Sequence, residues 1–206
     1  MLLRTRDLFL IHETFQETIQ GEGYWTGSVC DFIRLYGCPV KCHFCDSSYS
    51  SGGSHIQYTR RTLEDLVSEL KSSMVVISGG EPFVNKQLSL LVDELLVHNK
   101  RVHIETSGAF WQEIPPRVWV TVSPKEYVSP KYPVDERMWQ RANEIKIVIS
   151  DGSEVDFYKD KLSECSLIFL QPEWGNPNSL QLTLGLLREN PQYRLSLQTH
   201  KYIGVS

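Results

Sequence analysis

Three cysteines, Cys38, Cys42 and Cys45, stand within eight residues in the stretch GCPVKCHFCD. Thiolates at that density have few possible tasks. Two could pair as a disulfide, which leaves the third unexplained. All three could hold zinc, but a structural zinc site takes four ligands, often as two separated pairs, and Cys30 and Cys165 each stand alone. His43 lies between two of the cysteines, where its peptide direction makes it an awkward fourth ligand. Another task needs only three thiolates on a short loop: holding three irons of a 4Fe–4S cube while the fourth iron stays open to an outside ligand. Thiolate suits such clusters by softness. The spacing, three residues and then two, favours the cluster, with zinc as the alternative. Cys30 and Cys165 sit in or beside apolar strand-like stretches and read as small buried hydrophobes.

A second group follows in VVISGGEPF. Gly79 and Gly80 come directly after an apolar run and precede Glu81 and Pro82. Glycines there let the backbone approach a ligand closely, and a carboxylate can pair with a cationic amine. An ordinary strand-to-helix turn would use the same residues. IETSG and VSPK end two later apolar runs and offer Glu105, Ser107, Ser123 and Lys125 as further polar groups.

These groups need elements to position them. VCDFIRLYG, MVVIS, RVHIETSG, VWVTVSP, EIKIVIS, SLIFLQP and YRLSLQTH read as strands. Residues 62–73, 85–99, 154–162 and 179–188 read as helices, the first starting on a capping threonine. Alternation of this kind implies an α/β fold with a mostly parallel sheet covered by helices. Residues 47–55 and 123–136 are the best loop candidates, from their Gly, Pro and Ser content. With no repeat and no long linker, one domain over residues 1–206 is expected. The polar motifs fall where strands end, which places the site at the carboxyl edge of the sheet.

The 206 residues are 41% hydrophobic and 22% charged, enough for a sizeable core. The formal net charge is −4. That excludes a strongly basic field for nucleic acid and favours a small substrate. The first residues, MLLRTRDLFLIHETF, contain no long apolar run, so neither a signal peptide nor a membrane span is expected and the cytoplasm is the expected compartment. Five cysteines, an odd number with three crowded together, suggest metal before disulfides.

With Phe44 included, the cysteines match Cys-x3-Cys-x-aromatic-Cys, and the chain resembles the radical S-adenosylmethionine (SAM) superfamily. The resemblance implies that SAM chelates the open iron and yields a 5′-deoxyadenosyl radical on reduction. It implies that Phe44, Gly79, Gly80 and Glu81 serve the cofactor, the GGE motif taking the methionine amino group. Glu105, Ser107, Ser123 and Lys125 match rim positions that contact SAM. The order of FIRLYGCPVKCHFCDSSY, SGGEP, IETSG, SPK, EIKIVI, QPE and QTHK, with QGEG near the start, is similar to that of the 7-carboxy-7-deazaguanine synthases. That family converts 6-carboxy-5,6,7,8-tetrahydropterin to 7-carboxy-7-deazaguanine with loss of ammonia, toward queuosine and related 7-deazapurines.

The resemblance matches Gln20, Glu22, Arg34 and His200 to substrate-contacting positions and assigns no side chain as a catalytic acid or base. A fused pterin offers a donor–acceptor edge that amide and carboxylate groups can read, and Arg34 suits its carboxylate. The family commonly has Cys-Asp-Thr, whose hydroxyl binds Mg²⁺; here Ser47 stands in the Thr position, and ligation by its hydroxyl remains possible. An electron donor such as a flavodoxin or ferredoxin, and a homodimer, are implied as partners. The fold implied is an abbreviated, incomplete radical SAM (β/α) barrel of about six mostly parallel strands, since a full barrel needs about 250 residues. A glycyl-radical-enzyme activase is the alternative enzyme, and a non-catalytic zinc module the alternative of another class.

Overall fold

The computed structural model of the chain describes residues 8–45 and 57–205. One nine-stranded sheet dominates it. The strands are β1 (Leu8–Ile19), β2 (Val29–Leu35), β3 (Thr59–Thr62), β4 (Met74–Gly79), β5 (Arg101–Thr106), β6 (Trp119–Val122), β7 (Glu144–Ile149), β8 (Ile168–Pro172) and β9 (Arg194–Leu195), in the order β3-β1-β2-β4-β5-β6-β7-β8-β9. From β2 to β9 every pairing is parallel. Six of these parallel strands have four or more residues, in line with the expected count, and β9 adds a seventh of two. β1 and β3 are antiparallel additions at one edge. The sheet is open, with β3 and β9 as its edges.

Period-two alternation sorts the parallel strands into two faces. Ile33, Leu35, Val75, Ile77, Val102, Ile104, Val120, Val122, Ile145, Ile147, Ile168 and Leu170 belong to the main core. Against them pack α1 (Leu63–Ser68), α2 (Leu88–Val97), α3 (Glu136–Arg141), α5 (Lys159–Leu162) and α6 (Ser179–Glu189), through residues such as Leu66, Leu91, Leu95, Met138, Leu162 and Leu186. The residues between them point the other way. His103, Thr121, Glu144, Lys146 and Gln171 are all buried and all polar. A parallel sheet covered on both faces is normally apolar on both. This one reserves its inner face for chemistry.

Several expected boundaries shift, each for a local reason. The helix expected over residues 62–73 stops at Ser68. The buried Asp31 carboxylate accepts the backbone N–H of Lys71 and Ser72 at 2.7 and 2.8 Å, which turns the chain into β4. The helix expected from residue 85 starts at Leu88, after a 3-10 turn over Pro82–Val84. Residues 154–162 break into α4 (Glu154–Phe157) and α5 at Tyr158. YRLSLQTH pairs over only two residues, because Ser196 and Gln198 turn inward before α7 (Thr199–Ile203). The expected loop at 123–136 is irregular until α3 begins at Glu136, whereas the loop expected at 47–55 lies outside the described residues.

Candidate active site

A cavity of about 510 Å³ opens on the inner face of the sheet. Every expected site residue within the described part of the chain lines it; Ser47 lies outside the described residues. The cysteines, the GGE turn, TSG and SPK follow β2, β4, β5 and β6, so they form the carboxyl rim as the motif positions implied.

At this rim Cys42 is buried, and Cys38 and Cys45 are half-buried. Burial above all pushes the Cys38 and Cys42 thiols up from the ordinary cysteine range, helped at Cys38 by the Glu81 carboxylate and Cys45 and at Cys42 by Cys38 and Cys45, with the Lys125 ammonium opposing this at Cys42. Lys125 Nζ donates to Ser123 O at 2.7 Å and to Ser123 Oγ at 2.5 Å, and lies 5.9 Å from the Phe44 ring centroid. His43 projects outward with its side chain 62% exposed, 3.6 Å from Glu173. Cys30 is fully buried among Phe32, Met74 and Val76, and burial raises its pKa to about 12. Cys165 packs half-buried against the main core.

The two glycines of GGE have a reason beyond ligand approach. A Cβ on Gly80 would lie 1.9 Å from the Gly37 carbonyl oxygen, and Gly79 has φ +118° with its missing Cβ 2.3 Å from Leu35 O. Gly80 N–H donates to Leu35 O and Glu81 N–H to Gly37 O, each at 2.9 Å. The turn after β4 is thereby stitched to the residue just before Cys38. Glu81 itself is 2% exposed. Its Oε1 accepts from Phe83 N–H at 3.1 Å and Thr106 Oγ1 at 2.6 Å; its Oε2 accepts from Ser107 N–H at 2.8 Å and Ser107 Oγ at 2.5 Å. A carboxylate has about four lone-pair sites. All four are engaged, so Glu81 braces the ends of β4 and β5 together.

Gln20 and Glu22 reach the cavity from the opposite end of the sheet. They lie on the hairpin between β1 and β2, which closes the amino ends of the parallel strands. Tyr24 stacks on Trp119, the first residue of β6, at 4.7 Å, and Arg101, the first of β5, lies 4.7 Å from the Trp25 ring. The segment after β9 meets the same hairpin: Gly23 N–H donates to Ser196 Oγ and Thr199 N–H to Gly21 O, both at 3.0 Å. His200 presses on Gly21 so closely that a Cβ there would lie 2.0 Å from His200 Nδ1. QGEG and QTHK, nearly the whole chain apart, therefore form one wall.

Behind that wall runs a buried polar chain. Thr121 Oγ1 donates to Glu144 Oε1 at 2.7 Å, so it accepts from His103 Nε2 at 2.7 Å. His103 Nδ1 is left as an acceptor for Gln20 Nε2 at 3.4 Å, and Gln20 Nε2 also donates to Glu105 Oε1 at 3.0 Å. Burial keeps His103 neutral, lowering its pKa to about 4. Gln20 spends both amide hydrogens inside the protein and orients Glu105. Glu22 pairs with Lys146 through Oε2 and accepts from Gln198 Nε2 through Oε1 at 2.8 Å. Burial alone would raise the Glu22 pKa; Lys146, with Gln198 and His200, brings it down to about 2. At the antiparallel edge, Arg34 Nη1 donates to Glu13 Oε1 at 2.6 Å, and Phe15 lies under the guanidinium at 5.0 Å. Arg34 thus has an internal counter-charge, with further donors left over.

Sequence reasoning missed Glu13, His103, Lys146 and Gln198. The usable signal was alternation: a histidine between valine and isoleucine, and a lysine between two isoleucines, mark the face opposite the core.

The chemistry of the donor set fits an iron–sulfur cube. Three thiols share one rim, close enough to repel one another as anions, and the positive charge of bound iron would offset the cost of burying them as thiolates. Among the described residues no three His, Cys, Asp or Glu side chains converge as a single-ion site, and a cube ligated at separate corners does not require one. The rim beside it, with Gly79, Gly80, Ser107, Ser123 and Lys125, offers hydroxyl, backbone and ammonium groups suited to an amino-acid moiety.

Residues 32–117 match the model of the radical SAM superfamily. The chain is 38% identical over 205 residues to the 7-carboxy-7-deazaguanine synthase of Synechocystis sp., covering 95% of this chain and 92% of that one. It is 34% identical over 197 residues to the 7-carboxy-7-deazaguanine synthase of Flavobacterium psychrophilum, covering 91% and 89%. The fold matches the crystal structure of QueE from Escherichia coli with a TM-score of 0.77 at 31% identity, over 92% of this chain and 93% of that one.

Proposed function

Because this chain belongs to the radical SAM superfamily and, within it, to the 7-carboxy-7-deazaguanine synthases, we propose that it converts 6-carboxy-5,6,7,8-tetrahydropterin to 7-carboxy-7-deazaguanine with loss of ammonia, as a single-domain enzyme. The observation that carries this reading is the meeting of the QGEG and QTHK segments on one wall of the cavity whose rim holds the three cysteines. An activase working on a protein backbone would need no such wall.

In this reading Cys38, Cys42 and Cys45 hold the cluster, and Gly79, Gly80, Glu81, Ser107, Ser123 and Lys125 hold SAM; Glu105, matched by resemblance to that rim, bonds to Gln20 beside Lys146 and is assigned to the substrate instead. When bound, the cluster and SAM would together supply radical hydrogen-abstraction chemistry, directed in this reading at C6 of the pterin. The chain's own residues bind, orient and shield. Glu22 and Glu105, as acceptors, take the N–H groups of the pterin's amino-pyrimidinone edge. Arg34 directs its remaining donors at the substrate carboxylate while Glu13 fixes its position. His200, seated on Gly21, covers the pterin from the carboxyl-terminal side. The hairpin with Tyr24 and Trp25 closes the floor against water, which protects a reactive intermediate. Mg²⁺ belongs to the same reading, with Ser47 as a ligand. So do a homodimer, a cytoplasmic location and a small electron carrier such as a flavodoxin or ferredoxin. Free cysteines at every position support a reducing compartment, and no helix among the described residues is long and apolar enough to cross a membrane.

The test is an anaerobic reaction of the reconstituted protein with SAM, a reductant and the carboxypterin, run beside a glycyl-radical peptide substrate. Consumption of the pterin with release of ammonia is expected. SAM cleavage that leaves the pterin intact and modifies the peptide would contradict the reading.

A further inference from the structure

We propose that Lys146 is a positioning residue for substrate, holding Glu22 and Glu105 side by side as a pair of acceptors at the inner end of the cavity. This rests on reading that end as the pterin site. Lys146 is the third residue of β7, with its side chain 6% exposed. Its ammonium donates to Glu22 Oε2 and lies 3.8 Å from Glu105 Oε1. One carboxylate comes from the amino-end hairpin and the other from β5, and Lys146 joins the two. Each carboxylate is steadied by an amide as well: Glu22 by Gln198 at 2.8 Å, Glu105 by Gln20 at 3.0 Å. Both line the cavity and keep acceptor capacity for a ligand.

The charges around this ammonium make its presence consequential. Facing it are Glu22 from the hairpin, Glu105 and neutral His103 from β5, Glu144 from β7 itself and Lys125 from the loop after β6, while His200 of α7 acts on Glu22. Glu144 is engaged by Thr121 and by the Tyr24 N–H at 3.0 Å. Removing Lys146 leaves the largely enclosed Glu22 carboxylate and the half-buried Glu105 carboxylate near one another without the cation between them. Burial and mutual repulsion then favour protonating one of them. A protonated carboxyl presents a donor where the substrate edge also presents donors, so binding weakens. Raising the pH deprotonates it again and recovers part of the affinity.

The experiment uses cluster-loaded protein and titrates 6-carboxypterin, which shares the amino-pyrimidinone edge and the carboxylate, by its fluorescence between pH 6 and 9. The variants are Lys146→Met, Lys146→Arg and the double variant Glu22→Gln/Lys146→Met, each checked for iron content and SAM affinity. Unmodified protein should show no change of affinity from Glu22 ionisation in this range. Lys146→Met should bind roughly 10- to 100-fold more weakly at neutral pH and regain affinity as pH rises, and Lys146→Arg should recover most of it. Should Lys146→Met lose iron or fail to fold, the double variant, which buries no lone charge at these two sites, carries the test: weak binding without recovery at high pH is expected. Wild-type affinity with a flat pH profile in Lys146→Met, or wild-type affinity in the double variant, would overturn the proposal. Failure of the unmodified protein to bind 6-carboxypterin would overturn the pterin reading and this proposal together.

Discussion

Glu81 and Cys42 sit on the same rim for different reasons. Cys42 lines the cavity with its thiol pKa raised by burial and by neighbouring thiols, so its thiolate form calls for a positive partner such as iron. Cys42→Ala should therefore abolish both the brown cluster and SAM cleavage, whereas Cys30→Ala should leave both and lower the melting temperature only, through a small cavity in the apolar cluster of Phe32, Met74 and Val76. Iron analysis and SAM cleavage of the two variants check this, and full cleavage by Cys42→Ala would remove the cluster assignment. Glu81 has all four acceptor sites filled by the protein. Glu81→Gln turns one oxygen into a donor facing either the Phe83 and Thr106 donors or those of Ser107. A stability loss of about 1–3 kcal/mol follows from leaving such buried groups unpaired, and chemical denaturation measures it. Ser47 belongs to the Mg²⁺ reading: Ser47→Ala should keep SAM affinity and require more Mg²⁺ for half-maximal turnover, and a superimposable Mg²⁺ curve would mean the hydroxyl is no ligand.

At the level of elements, the cysteine loop and the GGE turn were legible because each is contiguous, so spacing alone carries the chemistry. The hairpin between β1 and β2 was not. β1 alternates polar residues on its inner face and carries register shifts near Glu13 and Thr18, so HETFQET gives no clear strand signal. The pairing of Glu22 with Lys146 spans 124 positions and leaves no local trace. Gly21 shows what the hairpin requires: Gly21→Ala drives a methyl into His200 and should raise KM for the pterin while leaving SAM affinity unchanged. The hairpin also rests on neutral His103 through Gln20. In the unfolded chain His103 takes up a proton below about pH 6.5, and in the folded protein not until about 4. Between those values the unfolded state binds more protons, so stability falls as pH falls, by about 3 kcal/mol at most from this residue. Thermal melts from pH 7 to 4.5 should show the decline, and His103→Gln should flatten it; parallel curves would refute this origin.

Across the whole molecule, the parallel strands divide labour by face: aliphatic residues bind the helices, while alternate residues such as His103, Thr121, Glu144, Lys146 and Gln171 form a buried polar layer beside a smaller apolar cluster on β2 and β4. Composition and alternation were enough to foresee a mostly parallel sheet, and the count of about six strands came with the family resemblance. They could not foresee that residues 20–23 and 196–200 would meet to build one wall of the cavity, since that depends on contacts between segments nearly the full length apart. The most direct test of the account places deuterium at C6 of the carboxypterin and follows it anaerobically with SAM and reductant by mass spectrometry. Deuterium should appear in the SAM-derived nucleoside, and 7-carboxy-7-deazaguanine should form. Recovery of the pterin with its deuterium intact, while SAM is consumed, would contradict it.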